Sequence, residues 1–174
     1  MRRILLLISL LYTGIFAEDA LFPNIKLKTL DGTKLQMKEL YKNQTLLVNF
    51  WSLSCEPCKK EMKYLDKFNQ KYSDDGFQVI SVNIDNTRSM SKVKSYIKSR
   101  EYSFEVFTDP KAELLRKTGG KMMPYILLVN KSGRIVNRHM GYSPGDEVQL
   151  EKDIMALIEN SNQSIIPENL EKSG

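Results

Sequence analysis

The sequence predicts a mixed α/β fold, a central sheet sandwiched between helices, and three features carry that expectation. Short apolar runs alternate with segments whose apolar residues recur every three or four positions. An antiparallel strand pair and an amphipathic helix close the chain. Ahead of all of these, apolar and polar residues alternate around a turn dipeptide, Asp31-Gly32. With 174 residues, 41% hydrophobic and 27% charged, the chain suits one domain with a real core and is too short for two comfortable ones.

The elements follow in order. "NIKLKTLDGTKLQM" (24–37) predicts a hairpin with a tight turn at Asp31-Gly32. "MKELYKNQ" is a short helical or irregular link. "TLLVNFW" (45–51) is a continuous apolar run of strand length, as expected where both faces are covered. From Pro57 onward, Cys58, Met62, Leu65, Phe68 and Tyr72 line one helix face, with Lys59, Lys60, Lys63 and Lys67 on the wet side. After the turn "SDDG", "FQVISVNI" (77–84) is a second buried strand. Val93, Tyr96 and Ile97 mark a helix across 88–100. "FEVFTDP" predicts a short strand stopped by Pro110, and "KAELLRKT" a short helix closed by Gly119-Gly120. "YILLVN" and "RIVNRHM" form a hairpin around Lys131-Ser132-Gly133. "DEVQLEKDIMALIEN" is the final helix, with acidic residues early, where the helix dipole favours them. Residues 161–174 read as a polar, disordered tail. There is no internal repeat and no low-complexity tract.

"MRRILLLISLLYTGIFA" (1–17) reads as an export signal, with Arg2 and Arg3 as its charged start, an apolar stretch from Ile4 to Tyr12, and Ala17 for cleavage. An uncleaved N-terminal membrane anchor is the alternative, although the apolar run falls short of the roughly 20 residues a bilayer needs. No cysteine stands at the cleavage region, which argues against a lipid anchor. The folded domain, 18–160, is then expected outside the cytoplasm, in the periplasm, where disulfides persist. Taking Arg2 and Arg3 from the 26 basic residues leaves 24 against 21 acidic ones, a charge near +3. The lysines are scattered, without a basic block or aromatic interleaving, which argues against nucleic acid as a partner.

The two cysteines, Cys55 and Cys58, lie in "NFWSLSCEPCKKEM". A structural zinc site needs four ligands, and the chain offers two cysteines and His139, some eighty residues away. His139 reads as an ordinary strand residue, and metal binding is not expected. A structural staple is equally unattractive, because a loop over two residues constrains the unfolded chain very little. The pair sits where a buried strand gives way to a helix, and Pro57 suits a first helical turn. Cys55 is therefore expected at or next to the helix N-cap, where N–H groups and the dipole stabilise a thiolate. That favours a reversible redox pair, with Cys55 as the attacking thiol and Cys58, one turn inward, as the resolving thiol. Glu56 places a negative charge beside the nascent thiolate, tends to raise its pKa and so favours the disulfide, which makes the dithiol a better electron donor. Lys59 and Lys60 oppose that effect.

This stretch, together with "MMP" at Met122–Pro124, resembles the extracytoplasmic TlpA-like or ResA-like proteins, which include thiol reductases of cytochrome c maturation. The similarity spans residues 22–160, including the N-terminal hairpin and an extra strand-helix stretch. It implies a thioredoxin-like fold and a cis peptide at Met123–Pro124 that helps dock an extended substrate, with Trp51, the family tryptophan leading into the site, as a third substrate-binding residue. It implies a thiol–disulfide oxidoreductase without a cofactor that reduces protein disulfides, an apocytochrome c haem-attachment pair among them, and is recharged by a membrane dithiol donor. Two alternatives stand beside it: a general disulfide reductase or oxidant with other clients, and a copper-binding metallochaperone of the same fold. Thioredoxin has a buried aspartate where this chain has Asn49, leaving Glu56 as the nearest candidate for proton transfer with Cys58. Tyr125 stands where many relatives have threonine.

Overall fold

In the computed structural model, residues 20–42 and 44–163 are described. The expected export signal, 1–17, lies outside them, as does the chain beyond Gln163. The strands are β1 (Lys26–Thr29), β2 (Lys34–Gln36), β3 (Thr45–Trp51), β4 (Phe77–Asn83), β5 (Glu105–Thr108), β6 (Tyr125–Val129) and β7 (Ile135–Met140). The helices are α1 (Met37–Tyr41), α2 (Glu56–Tyr72), α3 (Met90–Lys98), α4 (Glu113–Lys117) and α5 (Asp146–Gln163). All seven strands join one sheet in the order β2-β1-β5-β4-β3-β6-β7. The central strands β5, β4 and β3 are parallel, and the outer ones pair antiparallel. The chain thus has the thioredoxin-like α/β fold expected of it, with the N-terminal hairpin added to one edge.

Every residue of β3 is buried, which explains its unbroken apolar run: both of its faces are covered. Leu47 and Trp51 point into one apolar layer with Cys58, Met62 and Leu65 of α2, Val93 of α3 and Ile154 of α5. Leu46, Val48 and Phe50 point into the opposite layer with Met37 of α1 and Leu114 of α4.

Three details differ from the sequence reading. The first hairpin closes on Thr29 and Thr33 rather than on a two-residue turn, with Gly32 at φ 101° and its N–H on Thr29 O at 3.1 Å. Asp31 accepts bonds from the Thr29 hydroxyl and the Thr33 N–H, an Asx-type turn that displaces the tighter one. Helix α3 starts only at Met90, because the Asn86 side chain caps Arg88 N–H at 3.0 Å and draws Thr87–Ser89 into a tighter 3-10 turn. Helix α5 runs to Gln163, so residues 161–163 of the expected tail are helical.

Candidate active site

Cys55 and Cys58 form a disulfide across the first turn of α2, with their Cα atoms 5.3 Å apart. Cys55 is the N-cap: its backbone is extended, at φ −88° and ψ 91°, and its sulfur accepts the Cys58 N–H at 3.3 Å. Pro57 fills the first turn, where a missing N–H leaves no bond unmade. Cys58 is fully buried and Cys55 half-buried. The loop that delivers them is anchored by Asp85, just past β4, whose Oδ2 accepts the Leu53 N–H at 2.8 Å and the Asn83 amide at 2.8 Å. Cys55 N–H closes the turn on Ser52 O at 3.1 Å.

The Met123–Pro124 peptide is cis. Pro124 is buried, its carbonyl accepts Gly141 N–H at 2.8 Å, and Met123 packs with Cys55 against the α2 side of the core. Met122 and Met140 are 56% exposed beside this loop. Polarisable, unbranched methionines adapt to varied partner surfaces.

Two residues singled out from the sequence are placed differently. Trp51 is fully buried, its ring tilted against Tyr96 with centroids 5.5 Å apart, so it lies beneath the site and offers no surface to a substrate. Glu56 is turned outward, with 73% of its side chain exposed, and pairs with Lys59 at 2.7 Å. That bond and the nearby charge hold its carboxyl below the usual carboxylate range, so it carries no proton to trade at neutral pH. Lys59 is itself packed over the Tyr96 ring at 5.5 Å and is only 22% exposed. Tyr125 points into the core away from the cysteines, its hydroxyl donating to Thr118 O at 2.7 Å.

Glu61 is the residue that the sequence reading passed over. It lies one turn after Cys58 on the same buried face of α2, is 4% exposed, and its Oε2 has no hydrogen-bond partner. Burial first, and then the Asp146 carboxylate at the start of α5, push its pKa up to about 8. The signal was available: positions 58, 61, 62, 65 and 68 form one helical stripe, but a glutamate within "KKEM" reads as part of the wet face. Asn49, fully buried in β3 beside Ser81 of β4, also has an unpaired amide in this layer, but an amide takes up no proton at neutral pH. His139, on β7, lies 3.0 Å from Asp153 Oδ2, out of line for a hydrogen bond, and pairs with α5 rather than the cysteines. No group of three potential metal-binding His, Cys, Asp or Glu side chains exists among the described residues.

A dithiol at a helix N-terminus, next to a cis-proline loop on a mixed sheet, defines the class of thioredoxin-fold thiol–disulfide oxidoreductases. Residues 17–154 match the Redoxin family, and the chain belongs to that family. The thiol-disulfide oxidoreductase ResA of Bacillus cereus is 28% identical over 145 residues, covering 80% of this chain and 82% of that protein. ResA of Bacillus subtilis is 28% identical over 132 residues, covering 72% of each. A solved structure from Chlorobium tepidum, assigned as the thiol:disulfide interchange protein DsbE, superposes with a TM-score of 0.73 at 27% identity. That match covers 79% of this chain and 95% of the other. The protein is a thiol–disulfide oxidoreductase, acting on protein thiols.

Proposed function

We propose that this protein works outside the cytoplasm as a reductant of protein disulfides, with the haem-attachment cysteines of an apocytochrome c as its clients. The observation that carries the reading is Glu61, a buried carboxyl behind Cys58 whose pKa is pushed up to about 8. The buried layer that resists charge on Glu61 also encloses Cys58 and disfavours a thiolate there, and destabilising the dithiol form makes it the better electron donor.

In the reduced protein, Cys55 is the attacking thiolate, stabilised by the Cys58 N–H and the start of α2. It attacks one sulfur of the client disulfide, forming a mixed disulfide, and the client's other sulfur leaves as a thiolate that takes a proton from water. Cys58 then passes its proton to ionised Glu61 and attacks Cys55 Sγ, which expels the second client thiolate. Two electrons have moved from the dithiol to the client, and the protein is left with the Cys55–Cys58 disulfide seen here. Met123 and Pro124 line the approach to Cys55, where an extended client strand docks. A membrane dithiol donor then reverses the chemistry to recharge the site. The segment 1–17 is read as the export signal, with an uncleaved anchor as the alternative; among the described residues no helix is long and apolar enough to cross a membrane.

Trapping tests the client. A Cys58→Ala variant expressed in the native host should accumulate mixed disulfides containing c-type apocytochromes, while Cys55→Ala should accumulate none. Trapped proteins without any haem-attachment pair would refute the client assignment.

A further inference from the structure

A groove of about 590 Å3 lies between the exposed face of β1, the start of α3 and the loop from β5 into α4. Leu30 and Met90 contribute apolar lining, and Lys26, Lys28, Lys94 and Lys111 stand around it. Among the described residues, none of these four ammonium groups has an ion pair or a hydrogen bond. The carboxylates nearby are already engaged. Asp109 accepts the N–H groups of Glu113 and Leu114 at 2.8 Å each and of Leu115 at 3.3 Å. Glu113 pairs with Lys117 at 3.2 Å, and Asp31 is bonded within the hairpin tip to Thr29 and Thr33. The four lysines outnumber the two lining carboxylates, Asp109 and Glu113, and Glu113 is already paired with Lys117, so the groove keeps a net positive charge over an apolar surface.

Its position ties it to the dithiol. Thr108 of β5 pairs in register with Asn83 of β4, which pairs with Trp51 of β3, so the groove opens at the same carboxyl edge from which Cys55 emerges. The separation is two to three strand spacings, about 10–15 Å at ~4.8 Å each. An extended polypeptide spans that in about three to five residues at ~3.3 Å each. Exposed Arg88 stands on the turn between them.

We propose that the groove docks an acidic stretch of the polypeptide whose disulfide is exchanged at Cys55. The acidic residues lie about three to five positions from the reacting cysteine, as the spacing above requires. Carboxylates there meet four free ammonium groups, while apolar side chains between them rest on Leu30 and Met90. The attraction acts mainly on the encounter rate and weakens with salt. The inference rests on the reductase reading and adds the clients' charge to it.

The test uses the reduced full-length protein and two disulfide-bonded peptides that differ only in carrying Glu or Gln at those positions. Hydroxyethyl disulfide, small and uncharged, is the control for the thiol chemistry itself. We expect the Glu peptide to be reduced about tenfold faster than the Gln peptide at low salt, an ordinary gain for electrostatic steering. We expect the preference to collapse at high salt, and also in a Lys28→Gln, Lys94→Gln, Lys111→Gln triple variant, while hydroxyethyl disulfide is reduced at the same rate by both proteins. The unchanged control rate also shows that the triple variant is folded, and a single Lys94→Gln variant, exposed on α3, should lose part of the preference. Equal rates for the two peptides in the wild type, or a preference that survives in the triple variant, would overturn the groove while leaving the reductase reading intact. Failure of the wild type to reduce hydroxyethyl disulfide would overturn both.

Discussion

Replacing Glu61 by Gln should make the protein more stable, and by an amount that grows with pH. The carboxyl titrates at 4.5 in an unfolded chain and at about 8 in the folded one, where burial and Asp146 oppose its charge. Because the folded value is the higher, the proton-linked stability is fully present below pH 4.5 and is lost as pH rises toward 8. The slope over that interval is about 1.4 kcal/mol per pH unit, so by pH 7 the wild type has lost about 3 kcal/mol. Gln has nearly the same shape and hydrogen-bonding groups but no charge to lose. The variant should therefore be ahead by less than about 1 kcal/mol at pH 5 and by about 3 kcal/mol at pH 7, with the gap levelling off at about 4–5 kcal/mol above pH 8. Glu105, also raised by burial, adds to the slope in both proteins and cancels in the difference. The assay is urea unfolding of the disulfide form at several pH values, followed by the fluorescence of Trp51, the chain's single tryptophan. Parallel stability curves for the two proteins would refute the reasoning, since they would mean that Glu61 is ionised and solvated in the folded state.

In the reduced protein, small alkylating agents should label Cys55 at least about 100-fold faster than Cys58, because only Cys55 sits at the open helix end; mass spectrometry of partly labelled protein reads the order, and equal rates would contradict it. The same Glu61→Gln variant should build up the mixed disulfide during turnover, since Cys58 loses its base, and stopped-flow rates should lose their rise toward pH 8; an unaltered profile would remove Glu61 from the chemistry. Lys59→Met should move the redox potential to more negative values by leaving the Glu56 charge uncompensated, and adding Glu56→Gln should restore it, as read in glutathione buffers. Asp85→Ala leaves the Leu53 N–H unpaired and should cost about 1–3 kcal/mol in thermal or urea unfolding, with slower exchange at Cys55.

The junction of β3 and α2 was legible in the sequence because local chemistry writes it: an apolar run, two cysteines, a proline, then apolar residues at helical spacing. The N-cap role of Cys55 follows from the same signals. What stayed hidden depends on distant partners. Trp51 is a floor and not a contact because Tyr96, from α3, covers it. The sequence shows Lys59 and Lys60 opposing Glu56, but which of them pairs with it depends on Lys59 being held over the same Tyr96 ring. The charge on Glu61 is opposed by Asp146, far along the chain, and its neighbours "KKEM" disguise the stripe it belongs to. The cis peptide before Pro124 was reached through resemblance, since spacing does not encode a peptide isomer.

The central claim is that the Cys55–Cys58 dithiol gives electrons to its clients, and its equilibrium potential tests that most directly. Wild-type protein equilibrated with graded thiol–disulfide buffers at pH 7, quenched with acid and alkylated, reports the fraction reduced at each poise. A potential more negative than about −240 mV, in the range of reducing thioredoxins, is the predicted result. A value near about −120 mV, where strong disulfide donors lie, would contradict it.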